Sequence, residues 1–350
     1  MAGLMVASII VWCIAFYCSS TLYNWEWDSS IEDYVIAEGT IHQHRTEGWA
    51  QTLVGRHGVY AIPDVSVVKE PKVVFWGDSF VQGFQVDDDD KMAQQFTSQW
   101  NDKHTLQLTG VGIGTGERDC ADYYYLMPKY REMLDPVYCH VIVIHDLTDT
   151  LPDCSTTRFR FVSNPDFHFE VDDPSPPIKN PGLVTLARYF SADAFFRFAS
   201  STKNKIKQLR FRPGPVGDID GHKHQLITED AQFYQDAWDF LVSGLSAQTD
   251  RPILIVYSPA VPGIQKGQVD FTDPDRELFE GFERICKKHG IDVIDLTPRL
   301  ISLFESGMKL SRGFSNTTPL EGHFNQDGHR LIAEAVCRHL ETAQNAIHSN

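Results

Sequence analysis

The stretch KVVFWGDSFVQG, residues 72–83, most constrains what this chain can become. Val73, Val74, Phe75 and Trp76 are β-formers without a polar interruption, the pattern of a central strand buried on both faces. Gly77 frees the backbone to turn sharply, leaving Ser79 at the strand's carboxyl end. In open α/β sheets ligands bind at that end, so Ser79 is a candidate nucleophile. Gly, Asp and Ser are also what an ordinary turn would use, and a base must be found elsewhere.

That base is offered by EGHFNQDGH, residues 321–329, where His323 precedes a final helix capped by Asn325. The pairing of Gly77-Asp78-Ser79 with this block resembles the SGNH or GDSL family of serine hydrolases and acyltransferases over roughly residues 70–345. The resemblance implies a three-layer, flavodoxin-like sandwich around a central parallel five-stranded sheet. It also implies Ser79 as nucleophile and His323 as base. The family's acid lies two or three residues before the histidine, and Glu321 is the ionisable residue there. Oxyanion donors would be the Ser79 backbone and a glycine of the 110–116 run, Gly112 or Gly114. His145 stands where the family has a donating asparagine, and a neutral imidazole also offers one N–H.

Alternating strand and helix patterns agree with such a sheet. Strands are expected near 73–76, 105–108, 141–144, 252–257 and 291–296, with helices between them. Met92, Phe96 and Trp100 share one helix face; Tyr123, Met127, Tyr130 and Leu134 share another, and both faces read as core. The acidic run Asp87–Asp90 precedes the first of these helices and reads as compensation of its dipole, because the glycine and alternating ligands of a calcium loop are missing. The glycine run does not fit a dinucleotide fingerprint, since Thr115 or Glu117 falls where the third glycine belongs.

Residues 3–23 carry no charge and are long enough to span a bilayer, so they read as a membrane anchor or signal anchor, with Trp25 and Trp27 at the interface. This gives a single-pass protein with its catalytic domain outside the cytoplasm. A lead-in arm, 24–70, joins it to an SGNH-like domain over 71–347 with an insertion at about 151–250. The arm is assigned no chemistry, and His42 and His44 within it lack partners at metal-binding spacing. In the insertion, 183–209 has a helical pattern ending in Lys203, Lys205 and Lys207. Seven cysteines, two of them in the anchor, do not make a complete disulfide framework.

A formal charge of −16 argues against nucleic acid as a partner. No cofactor or metal is expected; His323, Asp327 and His329 lack the helical spacing that closes on zinc. The expected function is a membrane-anchored serine esterase or O-acyltransferase working through an acyl-serine, on acyl esters such as O-acetylated envelope glycans. The alternatives are a catalytically silent glycan-binding or scaffolding protein of the same fold, and a lipase.

Overall fold

The computed structural model of the chain describes residues 20–153, 158–174, 231–265, 267–317 and 320–348, with positions 3, 6, 9, 10 and 13 of a first helical segment. The apolar run becomes β5 (Lys72–Gly77), buried along its whole length. It lies inside a parallel sheet with β6 (Thr109–Gly114), β7 (Val137–Ile144), β10 (Ile253–Tyr257) and β13 (Asp292–Asp295). The order is β6-β5-β7-β10-β13, the doubly wound arrangement in which the chain reverses direction across the sheet between β5's two neighbours.

Side-chain alternation along β5 divides the core. Val74 and Trp76 face helices α3 (Cys120–Leu134), α4 (Ala231–Ala247) and α5 (Arg276–Lys288). Val73 and Phe75 face α2 (Met92–Asn101), α6 (Thr297–Gly307) and α7 (Gln326–His348). Three layers result, because each strand residue buries against one helical layer or the other.

Two placements differ from expectation. The second strand is not at 105–108 but incorporates the glycine run, with Gly112 opposite Phe75 and Gly114 opposite Gly77. A side chain at Gly110 would meet the Ala93 carbonyl oxygen at 2.1 Å, so these glycines let α2 lie close on the strand. The acidic run does not compensate α2, whose first turn has no acidic residue. Asp87 and Asp88 instead accept the N–H groups of Gln51 and Leu53, each at 2.9 Å, and tie down the arm.

That arm is two hairpins, β1 (Trp25–Asp28) with β2 (Asp33–Ile36), and β3 (Ile41–His44) with β4 (Ala50–Leu53). The membrane-spanning helix over 3–23 is not supported: among the described residues no helix is long and apolar enough to cross a membrane. Most of that segment lies outside the described residues, but its end, from residue 20, is not helical. Thr21 N–H donates to the Gln43 carbonyl at 2.8 Å, and the Arg45 N–H donates to Ser20 Oγ at 2.9 Å. Trp25 packs on a cluster containing Tyr60 and Phe84, and Trp27 meets Tyr34 edge to face, so neither needs a bilayer to account for it. The single-pass localisation drawn from the anchor is withdrawn with it.

Between β7 and α4 a hairpin, β8 (Phe159–Val162) with β9 (His168–Val171), packs against α3 and α4. The expected helix over 183–209 lies outside the described residues. Cys120, Cys139, Cys286 and Cys337 are buried free thiols.

His140, on β7, tests how far the core depends on neutral histidine. Its Nδ1 accepts the Trp76 indole N–H at 3.0 Å, and burial, aided by Arg131 and Arg251, pushes its pKa down to about 4. Unfolded, a histidine near 6.5 takes up a proton that the folded chain refuses, so this contribution is full above that pH and is lost as pH falls towards 4. His140→Gln keeps an acceptor for Trp76 but does not titrate. Between pH 7 and 4.5 wild type should lose about 2 kcal/mol more stability than the variant by urea denaturation; parallel losses would refute the assignment.

Candidate active site

The turn after β5 is built around contacts that admit no side chain at Gly77, where a Cβ would meet Val81 Cγ2 at 2.2 Å. Asp78 caps the short helix α1 (Ser79–Gln82) by accepting the Phe80 N–H at 2.8 Å. Ser79 is thereby presented, half-buried, into a cleft of about 800 Å³. His323 Nε2 lies 2.8 Å from Ser79 Oγ, so the serine after the first sheet strand and the imidazole before the last helix share one pocket.

The residue that holds the imidazole is Glu47. Its Oε2 lies 2.6 Å from His323 Nδ1, and its Oε1 accepts the His323 backbone N–H at 2.6 Å. Burial opposes ionisation of Glu47, but the hydrogen bonds and charge of His323 outweigh it and hold the carboxyl below its usual range. Glu321, the residue expected in this place, is exposed and makes no such contact. Two residues cannot carry Glu321 back under the ring here, because Gly322 takes a left-handed φ of 85° between them. A Cβ on Gly322 would lie 2.0 Å from Glu47 Oε1, so the missing side chain is where the acid enters.

The turn between β3 and β4 delivers Glu47. Asn316 clamps the next residue from both sides, accepting the Gly48 N–H at 2.9 Å and donating to its carbonyl at 3.0 Å. Arg45 spans the turn by donating to the carbonyls of His44 and Ala50, each at 2.7 Å. Sequence reasoning gave this arm no chemistry. Its signal was weak: one glutamate in a hairpin turn 276 positions from the histidine.

The other expected donors are placed differently. Gly112 and Gly114 are strand residues, and a Cβ on Gly114 would meet the Gln82 nitrogen at 2.5 Å and the Asp78 carbonyl oxygen at 2.6 Å. Close packing accounts for them. Gly116 is the glycine of the run that faces Ser79, since a Cβ built on it would lie 3.9 Å from Ser79 Cβ, and it lines the cleft with Thr115. His145 does not line the cleft. Its ring stacks on Phe80 at 3.9 Å, and Phe80 in turn touches His323 at 4.8 Å. His329 is fully buried away from the cleft, its Nδ1 accepting the Met92 N–H at 3.2 Å.

Tyr23, Trp25, Tyr34 and Phe159 contribute aromatic faces to the cleft, and Gln82 and Gln85 polar ones. Arg118, buried there, is neutralised by Asp33 at 2.9 Å.

No model of a known protein family matches the chain, and no curated protein matches it in sequence. Solved structures do. An acetyl xylan esterase is 14% identical with a TM-score of 0.39, covering 76% of this chain and 97% of its own. A G-D-S-L family lipolytic protein from Desulfitobacterium hafniense is 12% identical, with a TM-score of 0.35 and coverage of 77% and 99%. A two-domain esterase active on acetylated mannans is 12% identical with a TM-score of 0.38, over 79% of this chain. The chain spans half the length of that protein. At such identities and TM-scores the likeness carries no argument about this chain, and what the site does has to be argued from its own atoms.

Proposed function

We propose that the chain is a serine hydrolase of the SGNH/GDSL type that cleaves acyl esters through an acyl-Ser79 intermediate. The observation that carries this is the continuous relay from Ser79 Oγ to His323 Nε2 and from His323 Nδ1 to Glu47. A serine hydroxyl is a poor nucleophile at neutral pH and needs a base within hydrogen-bond reach, itself fixed in tautomer by an acid. Glu47 does this by accepting from Nδ1, which leaves Nε2 to take the serine proton.

Attack on the ester carbonyl then forms the Ser79 Oγ–acyl bond, and His323 returns the proton to the departing alcohol. In the second half, His323 removes a proton from water, the hydroxide displaces the acyl group as the free acid, and Ser79 recovers its proton. The developing oxyanion needs fixed N–H donors. Candidates are the backbone groups of Ser79 and Gly116, the glycine that faces it.

Transfer to a sugar hydroxyl uses the same relay, with the acceptor in place of water. An open cleft with aromatic walls suits the sugar ring of an O-acetylated glycan as the alcohol portion. A fluorophosphonate probe should label wild type at Ser79 and fail to label Ser79→Ala, and acetyl esters should turn over in parallel. A folded wild-type protein that resists the probe would remove the proposal and favour a binding role for the cleft.

A further inference from the structure

We propose that Asp78, His145 and Asp149 form a binding site for one divalent transition-metal ion, with Zn²⁺ as the test case. The three residues come from separate parts of the same end of the sheet. Asp78 follows β5, His145 follows β7, and Asp149 belongs to the single turn of 3₁₀ helix Leu147–Thr150.

Their donor atoms converge. His145 Nδ1 lies 3.7 Å from Asp78 Oδ2 and 3.5 Å from Asp149 Oδ2, and all three donor atoms lie within 4.8 Å of one another. Those separations are long for hydrogen bonds. The two distances to His145 are close to the spacing between ligands of one ion, since bonds of about 2.0–2.2 Å in a tetrahedral site put neighbouring ligand atoms about 3.3–3.6 Å apart, and the third pair is within 4.8 Å.

Each side chain is already oriented. Asp78 is nine-tenths buried, and its Oδ1 is committed to the Phe80 N–H. Its Oδ2 faces the His145 ring, 3.7 Å from Nδ1. Stacking on Phe80 fixes the plane of the His145 ring, and the four-residue spacing brings Asp149 round to the same side. One imidazole with two carboxylates, leaving a position for water, is a donor set that zinc accepts.

Charge supports the assignment. Two carboxylates are drawn together in a poorly solvated place, and the buried Arg312 guanidinium, seated over Phe80 at 4.9 Å, offsets one of them. A divalent ion would satisfy the remaining negative charge and tie the nucleophile turn to the end of β7. Because metal binding is read without turnover, this inference is independent of the ester-hydrolase proposal.

The full chain, stripped with chelator, should bind one equivalent of Zn²⁺ by calorimetry, and Co²⁺ in its place should give the visible absorption of a low-symmetry site. His145→Asn and Asp149→Asn should each weaken binding at least about tenfold, whereas His289→Asn, on a different face, should not. Circular dichroism checks that each variant is folded, and His145→Asn alone suffices if Asp149→Asn is not. Absence of binding at about 100 μM Zn²⁺, or one equivalent bound equally by wild type and His145→Asn, would overturn the site.

Discussion

Glu47→Gln is expected to lower kcat for an acetyl ester by roughly 10³–10⁴, while Glu321→Gln should leave it within about twofold. Glutamine keeps the size of Glu47 and can keep one hydrogen bond, so the fold of the β3–β4 turn should survive. What it loses is the acceptor pair that now faces His323, one oxygen on Nδ1 and one on the backbone N–H, both at 2.6 Å. If the amide nitrogen turns towards Nδ1, the imidazole must carry its proton on Nε2. The nitrogen facing Ser79 Oγ at 2.8 Å then has no lone pair to accept the serine proton. The imidazolium formed during attack also loses its neighbouring negative charge. KM should change little, because Glu47 acts through the histidine. Steady-state kinetics of the two variants beside wild type decide the matter, and a larger loss in Glu321→Gln would return the acid to the loop before His323.

The paired variants also show where sequence reading ends. Ser79 and His323, the proposed nucleophile and base, could be singled out because each sits in a short block whose local grammar is strong: an apolar strand broken by Gly77, and a capped helix behind His323. The sheet was legible for the same reason, since β10, residues 73–76 of β5 and residues 141–144 of β7 read as apolar runs. β6 was displaced because alternate positions are glycine. Val111 and Ile113 carry its core face, while Gly110, Gly112 and Gly114 leave room for α1 and α2 on the other. A period-two pattern in which one face is empty can be mistaken for a loop. The acid was not legible at all, because nothing local distinguishes Glu47 from Glu321. Their difference is tertiary: one is carried across the cleft by a hairpin anchored to Asp87, Asp88 and Asn316. The apolar stretch over 3–23 misled in the opposite way. Its composition met the length rule for a bilayer span, yet residues 20 and 21 hydrogen-bond to the β3 strand and the residue after it.

Gly322→Ala should reduce kcat by about 10²-fold or more through displacement of Glu47, without touching Ser79 or His323 themselves. Two costs meet at this position. A φ of 85° suits glycine and strains alanine by roughly 1–2 kcal/mol. The added methyl would also stand 2.0 Å from Glu47 Oε1 and 2.8 Å from its carboxyl carbon, where no real contact can exist. Something must give, and the carboxylate is the freer party, since Asn316 pins the Gly48 backbone behind it. Retreat of Glu47 by about 1 Å would break the bond from the His323 N–H and misdirect the ring, a displacement of the size that costs about a hundredfold in rate. Modest destabilisation with a large fall in kcat, and fluorophosphonate labelling slowed in proportion, is therefore the expected result. A variant as destabilised as predicted but fully active would mean that Glu47 is not what holds the imidazole.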